Sequence, residues 1–249
     1  VKQRIKLRQI FALREMMMFA LSERAQDFIT RTQAFIQQEI EPIEKAFWDE
    51  VHQLNVDGDW TKWQWPAQLE QLKTKAKAAS LWNMFLPDAE LGAGLSVQEY
   101  AHIAELTGRS LLAPTVFNCN APDSGNMEVL WRYGSDEQKR QWLQPLLAGE
   151  IRSVFCMTEP AVASSDATNM QATAGVDGDE IVLNGRKWWS SGLGDPNAKV
   201  IIFMAYTPDP NKDRHHQHSM VLVPIDTQGV SIERMLPVFG DYDAPHGHG

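Results

Sequence analysis

The chain has 249 residues, 43% of them hydrophobic, with a formal net charge of −9 and a sequence pI near 5.3. That is enough apolar material for two domains with real cores, which excludes a disordered polypeptide, and the acidic balance lacks the basic footprint of a nucleic-acid binder. No run approaches the roughly 18 apolar residues of a membrane span, and Cys119 and Cys156 lie in unrelated contexts that suit neither a disulfide framework nor a zinc site.

Residues 1–18 differ from the rest: Lys2, Arg4, Lys6, Arg8 and Arg14 face one acid, Glu15. A basic, acid-poor leader fits an organellar targeting peptide. Val1 in place of methionine and the run Met16-Met17-Met18 fit an over-extended start, the reading preferred here.

From Ser22 the pattern is helical, with Phe28, Thr32, Phe35, Ile36, Ile40, Ile43, Phe47 and Val51 at three- and four-residue spacing. Ser22 is the expected N-cap, and Pro42 is expected to interrupt the helix. Residues 55–64 read as a loop carrying Trp60 and Trp63, and Pro66 as the start of a second helix. After a loop over 81–94, Ser96 and Glu99 spell a capping box for a third helix ending at Gly108. A short helix through Met127 and Leu130 stops at Gly134, and a second capping box, Ser135 with Gln138, opens another containing Trp142 and Leu146.

At Gly149 the pattern changes to short β-branched segments, near 152–157, 170–176, 180–184, 186–190, 199–206, 219–225 and 230–236. Asp177-Gly178-Asp179 reads as a tight turn, Asn184-Gly185 as a hairpin signal, and 200–206 as a buried central strand. The expected fold class is α+β: an all-α helical N-terminal domain, 19–150, followed by an antiparallel β-barrel-like domain, 151–249, expected to be incomplete.

The stretch 151–192 carries the chemistry. The apolar run Val154-Phe155-Cys156-Met157 ends in Thr158-Glu159-Pro160, where proline stops ladder pairing, and the turn 161–166 offers small side chains, hydroxyls and N–H groups able to approach a flat polar ring. Further on, Lys187-Trp188-Trp189-Ser190-Ser191-Gly192 supplies adjacent aromatics followed by hydroxyls. The histidines at 215, 216, 218, 246 and 248 lie in a loop and near the last residue, so no metal site is expected. Gly192-Leu193-Gly194 lacks the third glycine and following helix of a dinucleotide fingerprint.

These landmarks resemble the acyl-CoA dehydrogenase family, nearest its tenth- and eleventh-type branch, in which a strand running into T-E-P and a later N-G-x-K-x-W segment hold the isoalloxazine of FAD. By position the resemblance implies that Phe155, Met157 and Thr158 meet the flavin pyrimidine edge, that Trp189 walls the ring, and that the Ser191 hydroxyl lies near flavin N5. It implies that Ser164 or Ser165 lies beside the acyl-CoA pantetheine. The common family turn is T-E-P-G-A-G-S-D; here Thr158-Glu159-Pro160-Ala161-Val162-Ala163-Ser164-Ser165-Asp166 is one residue longer and has no glycine, which leaves the choice of serine open.

The reaction so implied is FAD-dependent α,β-dehydrogenation of an acyl-CoA thioester to the trans-2-enoyl-CoA, of the fatty-acid β-oxidation type. Electron-transfer flavoprotein is the implied electron acceptor, and a homo-oligomer, dimer or tetramer, the implied assembly. The family base is a glutamate of a C-terminal four-helix bundle downstream of the β domain, so no catalytic residue is expected in this chain, which by itself is expected to be inactive. Glu159 reads as a structural carboxylate. Two other readings stay open: a same-fold flavin oxidase or monooxygenase, and a non-catalytic acyl-CoA- or flavin-binding module. A cytoplasmic protein of bacterial origin is the expected setting, or a mitochondrial or peroxisomal one if the basic leader is a targeting segment.

Overall fold

The computed structural model describes residues 20–249. The leader-or-start reading of residues 1–18 lies outside them.

Helix α1, Glu23–Phe35, begins where the Ser22 hydroxyl accepts the Ala25 N–H at 3.1 Å, and it buries Ala25, Phe28, Thr32 and Phe35 at helical spacing. It passes through a π-turn, Ile36–Ile40, and breaks before α2, Glu44–Leu54, so the interruption falls around Pro42 as its missing N–H dictates. Helix α3, Gln68–Ala78, starts two residues after Pro66. Helix α4, Val97–Thr107, has the expected capping box at Ser96 and Glu99. Hydrogen bonds from the Ser22 hydroxyl and then from Ser96 hold the Glu99 carboxyl down at about 2, so one carboxylate joins the starts of α1 and α4. Short α5, Ala113–Val116, is followed by α6, Asp123–Tyr133, and by α7, Asp136–Gln138, which is capped by Ser135 and Gln138. A π-turn, Lys139–Leu143, leads into α8, Gln144–Ala148, which ends at Gly149 with φ +72°, the left-handed residue that closes helices.

The residues divide into two compact units, 20–44 with 71–119 and 45–70 with 120–249, so the chain of α2 beyond Glu44 and helices α6 to α8 belong to the same unit as the sheet.

Strands β1, Arg152–Cys156; β2, Thr173–Asp177; β3, Glu180–Asn184; β4, Ala198–Tyr206; and β5, His218–Pro224, form one five-stranded sheet. Helices followed by a sheet is the predicted order, but the pairing is mixed rather than wholly antiparallel. β1 runs parallel to β4, with Val154 opposite Ile201 and Phe155 opposite Ile202, whereas β5 runs antiparallel along the other edge of β4. β2 joins β4 at Thr173 opposite Tyr206, on the edge that β1 has just left. Residues 157–172 thus leave that edge and return to it. Alternation reports which face a residue occupies, not strand direction, so the pattern could not distinguish these pairings. Among the described residues the sheet does not close.

Three local readings change. The tight turn joining β2 to β3 is at Gly178, φ +61°, as expected, but Asn184-Gly185 makes no hairpin. Gly185 is instead a point of close approach, since a Cβ there would lie 2.4 Å from that of Ala172. Residues 186–190 and 230–236 are not strands. Beneath the sheet, Trp63, Val154, Cys156, Leu193, Ala198, Ile201, Val223 and Met235 form one core, and burial there pushes the Cys156 thiol up, fitting a packed rather than reactive cysteine.

Candidate functional site

The strand that aims the Thr158-Glu159-Pro160 turn is anchored at its start by a buried network. Asp123 lies 2.7 Å from the Arg152 guanidinium, with side chains 2% and 6% exposed, and its other oxygen accepts both the N–H and the hydroxyl of Ser153 at 2.6 Å. Asn126 donates to the same hydroxyl at 2.9 Å. The Arg152 guanidinium and the N–H and hydroxyl of Ser153 are thereby tied to α6, which holds the start of the strand in place. Sequence reasoning missed this network; the only signal was the pair of polar residues Asp123 and Asn126, three apart and so on one face of the helix that begins at Asp123.

The turn is clamped by Glu159. Its carboxylate accepts the N–H of Gln171 at 2.8 Å and of Ala172 at 2.9 Å, and pairs with the Lys187 ammonium at 2.8 Å. Burial pushes this carboxyl up, but the hydrogen bonds from Lys187 and the two amides outweigh it, and the group is held below the usual carboxylate range. Lys187 also donates to the Met157 carbonyl at 3.0 Å and lies 4.9 Å from the centre of the Phe203 ring. A carboxylate with its lone pairs so engaged is structural, in keeping with the sequence reading of Glu159.

Phe155, Met157 and Thr158 are half-buried at the end of β1. Ser164 is half-buried and turned inward, its hydroxyl accepting the Glu159 N–H at 2.9 Å, whereas Ser165 is exposed. Met157, Ser164 and Met170 line a small hollow beside the turn.

The Lys187–Ser191 segment is brought against that turn by Trp188, whose N–H donates to the Thr158 carbonyl at 3.0 Å. Trp189 is in the left-handed region at φ +53°. This removes the strict alternation that a strand would impose. The two indoles lie with ring centres 6.2 Å apart, tilted by 57°, and are 37% and 41% exposed. Two large aromatics are thus left half open beside the T-E-P turn, one of them on a strained backbone.

Beyond Trp189, residues 190–194 pair with 246–249: Ser190 and Gly249 exchange backbone hydrogen bonds, and Gly192 and Gly194 donate to the carbonyls of Gly247 and His246. Glycine is needed at both: Gly192 has φ +84° close to β1, and a Cβ on Gly194 would meet Trp63 at 2.5 Å. The Ser191 hydroxyl lies 2.9 Å from His248 Nδ1. The sequence left the histidines at 246 and 248 unconnected to anything; the fold gathers both around Asp243, with ligand-type atoms of the three within 4.8 Å of one another.

The structure therefore brings Met157, Thr158, Trp189 and Ser191 onto neighbouring segments, with Ser164 turned into the T-E-P turn and Ser165 facing solvent. Among the described residues no helix is long and apolar enough to cross a membrane.

Comparisons with known proteins give the family of the chain. The family model for the N-terminal domain of acyl-CoA dehydrogenases matches residues 22–150, and that for the middle domain matches residues 154–248. Acyl-CoA dehydrogenase family member 11 of Mus musculus is 52% identical over 230 residues, 92% of this chain and 29% of its own length. FadE2 of Mycobacterium tuberculosis is 51% identical over 231 residues, 92% of this chain and 54% of that protein. A solved structure from Mycobacterium abscessus assigned to the acyl-CoA dehydrogenases superposes with a TM-score of 0.86 at 61% identity, covering 92% of this chain and 57% of that one. This chain thus spans between 29% and 57% of the length of these relatives. With both family models matched in order along it, the chain belongs to the acyl-CoA dehydrogenase family.

Proposed function

We propose that the whole protein catalyses FAD-dependent α,β-dehydrogenation of an acyl-CoA thioester to the trans-2-enoyl-CoA, in the manner of fatty-acid β-oxidation. The observation that supports this most directly is the 3.0 Å hydrogen bond from the Trp188 N–H to the Thr158 carbonyl, which sets the two expected flavin-contact segments side by side. A solved acyl-CoA dehydrogenase from Bacillus anthracis complexed with FAD has the same fold, with a TM-score of 0.60 at 25% identity, covering 87% of this chain and 33% of that one.

The donor set fits an isoalloxazine: two half-open indoles, the Thr158 hydroxyl at a strand end, and the Ser191 hydroxyl two residues past Trp189. When bound, FAD supplies the acceptor for the substrate's β-hydride. In this proposal Phe155 and Met157 line the pyrimidine edge and Thr158 donates to it, where negative charge develops. Trp189 covers the ring face and excludes water, and the Ser191 hydroxyl faces N5. Ser164 or Ser165 meets the pantetheine: the exposed hydroxyl of Ser165 is open to a ligand, while that of Ser164 would have to share its bond to the Glu159 N–H. The proposal takes the α-proton base to be the glutamate of the family's helical bundle, outside this chain, and not Glu159, which is already committed to Lys187 and two amides. The proposal takes electron-transfer flavoprotein as the electron acceptor and a homo-oligomer as the assembly.

The test is the visible spectrum of the purified whole protein. A flavin absorption band that bleaches when an acyl-CoA is added anaerobically is the expected result. A folded, colourless protein that cannot be reconstituted with FAD rules the proposal out.

A further inference from the structure

His248 is held between two groups. Its Nδ1 is 2.9 Å from the Ser191 hydroxyl, and its Nε2 is 3.3 Å from a carboxylate oxygen of Asp243. The backbone holds the ring in place: the His248 carbonyl accepts the Leu236 N–H at 2.7 Å, and the flanking residues pair with Ser190 and Gly192. Around the ring stand Trp189, with centres 6.4 Å apart, and His246, edge-on at 5.9 Å. Asp243 and His246 are thus the titratable groups that face it among the described residues.

The direction of these hydrogen bonds follows from the donor inventory. Burial pushes the Asp243 carboxyl up, but hydrogen bonds from His246 and His248 outweigh this and hold it well below the usual carboxylate range, so it is ionised and can only accept. Nε2 of His248 therefore carries a proton whatever the charge on the ring. Nδ1 is left to deal with Ser191. A neutral imidazole takes the hydroxyl proton and leaves the serine's lone pairs facing outward, whereas an imidazolium donates to the serine and turns its proton outward.

We propose that Asp243 and His248 are positioning residues that set which way the Ser191 hydroxyl faces the flavin, a role that rests on the flavin reading above. Neither residue touches the cofactor in this proposal. His248 acts through Ser191, and Asp243 acts through His248 by fixing its tautomer, as carboxylates fix ring orientation in other histidine relays. A role of this kind predicts a dependence that mere packing does not: with the Ser191 hydroxyl removed, His248 has nothing left to orient.

The measurement is the FAD dissociation constant of the whole protein, by titration of the apoprotein, for the unaltered chain and for Ser191→Ala, His248→Ala, the double variant, His248→Asn and Asp243→Asn. The single alanine variants should each weaken FAD binding roughly two- to tenfold, the worth of one hydrogen bond. The double variant should bind no more weakly than Ser191→Ala alone, because the two residues act in series. His248→Asn, which keeps an amide atom where Nδ1 stood, should retain most of the affinity, and Asp243→Asn should fall between it and His248→Ala. Losses that multiply in the double variant, or a His248→Asn as weak as His248→Ala, overturn the proposal while leaving the flavin site intact. A folded, unaltered protein that binds no FAD overturns the flavin reading and this inference with it. Should His248→Ala fail to fold, the His248→Asn and Asp243→Asn variants on the Ser191→Ala background decide the question in the same way.

Discussion

The Lys187 ammonium lies 2.8 Å from the Glu159 carboxylate with both side chains 5% exposed, so two residues 28 apart in sequence are locked together at the point where β1 leaves the sheet. The pair ties the T-E-P turn to the tryptophan segment. Removing one partner leaves the other buried and charged. Lys187→Met should therefore destabilise the fold by about 3–5 kcal/mol, read by urea denaturation, and the double change Lys187→Met with Glu159→Gln, which removes the charge and keeps an acceptor for the amides of Gln171 and Ala172, should recover part of the loss. A Lys187→Met protein as stable as the parent would show that the pair contributes nothing.

The same carboxyl predicts a pH dependence. Its folded-state value lies below the ordinary 4.5, so its stabilisation is complete above about pH 4.5 and is lost as pH falls further toward the depressed folded value. Stability measured from pH 6 downward should fall more steeply in the parent than in Glu159→Gln, which has no proton to take up there. Parallel curves would remove Glu159 from the acid response.

At the other end of β1, Asp123 and Arg152 form a second buried pair, with Asp123 also holding both polar groups of Ser153. Asp123→Ala leaves a buried guanidinium and an unsatisfied N–H, and should cost about 3–5 kcal/mol, seen as a lowered Tm. Asp123→Asn keeps an acceptor for the Ser153 N–H and should lose less.

Gly185→Ala tests the close approach between the end of β3 and the entry to β2. The new methyl would lie 2.4 Å from the Ala172 Cβ and 2.7 Å from its Cα, atoms of a backbone that cannot swing aside. Overpacking of this kind costs about 1–3 kcal/mol. Gly175→Ala, in the middle of β2 with open space around it, should be close to neutral by the same denaturation measurement.

Within the proposed flavin site, Trp189 should contribute more to FAD affinity than Trp188. Both rings are half open, so exposure does not rank them; the family register puts Trp189 against the ring, while the Trp188 N–H is spent on Thr158. Trp189→Ala in the whole protein should weaken FAD binding by about 1–3 kcal/mol, roughly ten- to hundredfold. A larger loss in Trp188→Ala, by titration, would move the register by one residue and take Ser191 with it.

What could be read from the sequence was local. The caps at Ser22, Ser96 and Ser135 and the break around Pro42 are short-range: each depends on a hydroxyl, a carboxylate or a missing N–H within a few residues of the backbone group it serves. The order of helices and strands, and the family landmarks at Thr158-Glu159-Pro160 and Lys187-Trp188-Trp189, are equally written along the chain. What tertiary structure decided was non-local. That β1 lies parallel to β4, that Glu159 meets Lys187, and that Asp123 meets Arg152 depend on contacts across 28 to about 50 residues, which no period in the sequence encodes. The left-handed Trp189 overrode the β-pattern of its own segment, because backbone bonds from Trp188 to Thr158 and from Ser190 to Gly249 hold it on both sides. The histidines at 246 and 248 could not be placed from the sequence for the same reason: Ser191 becomes the neighbour of His248 only when the 190–194 segment is zipped against the 246–249 segment by backbone hydrogen bonds.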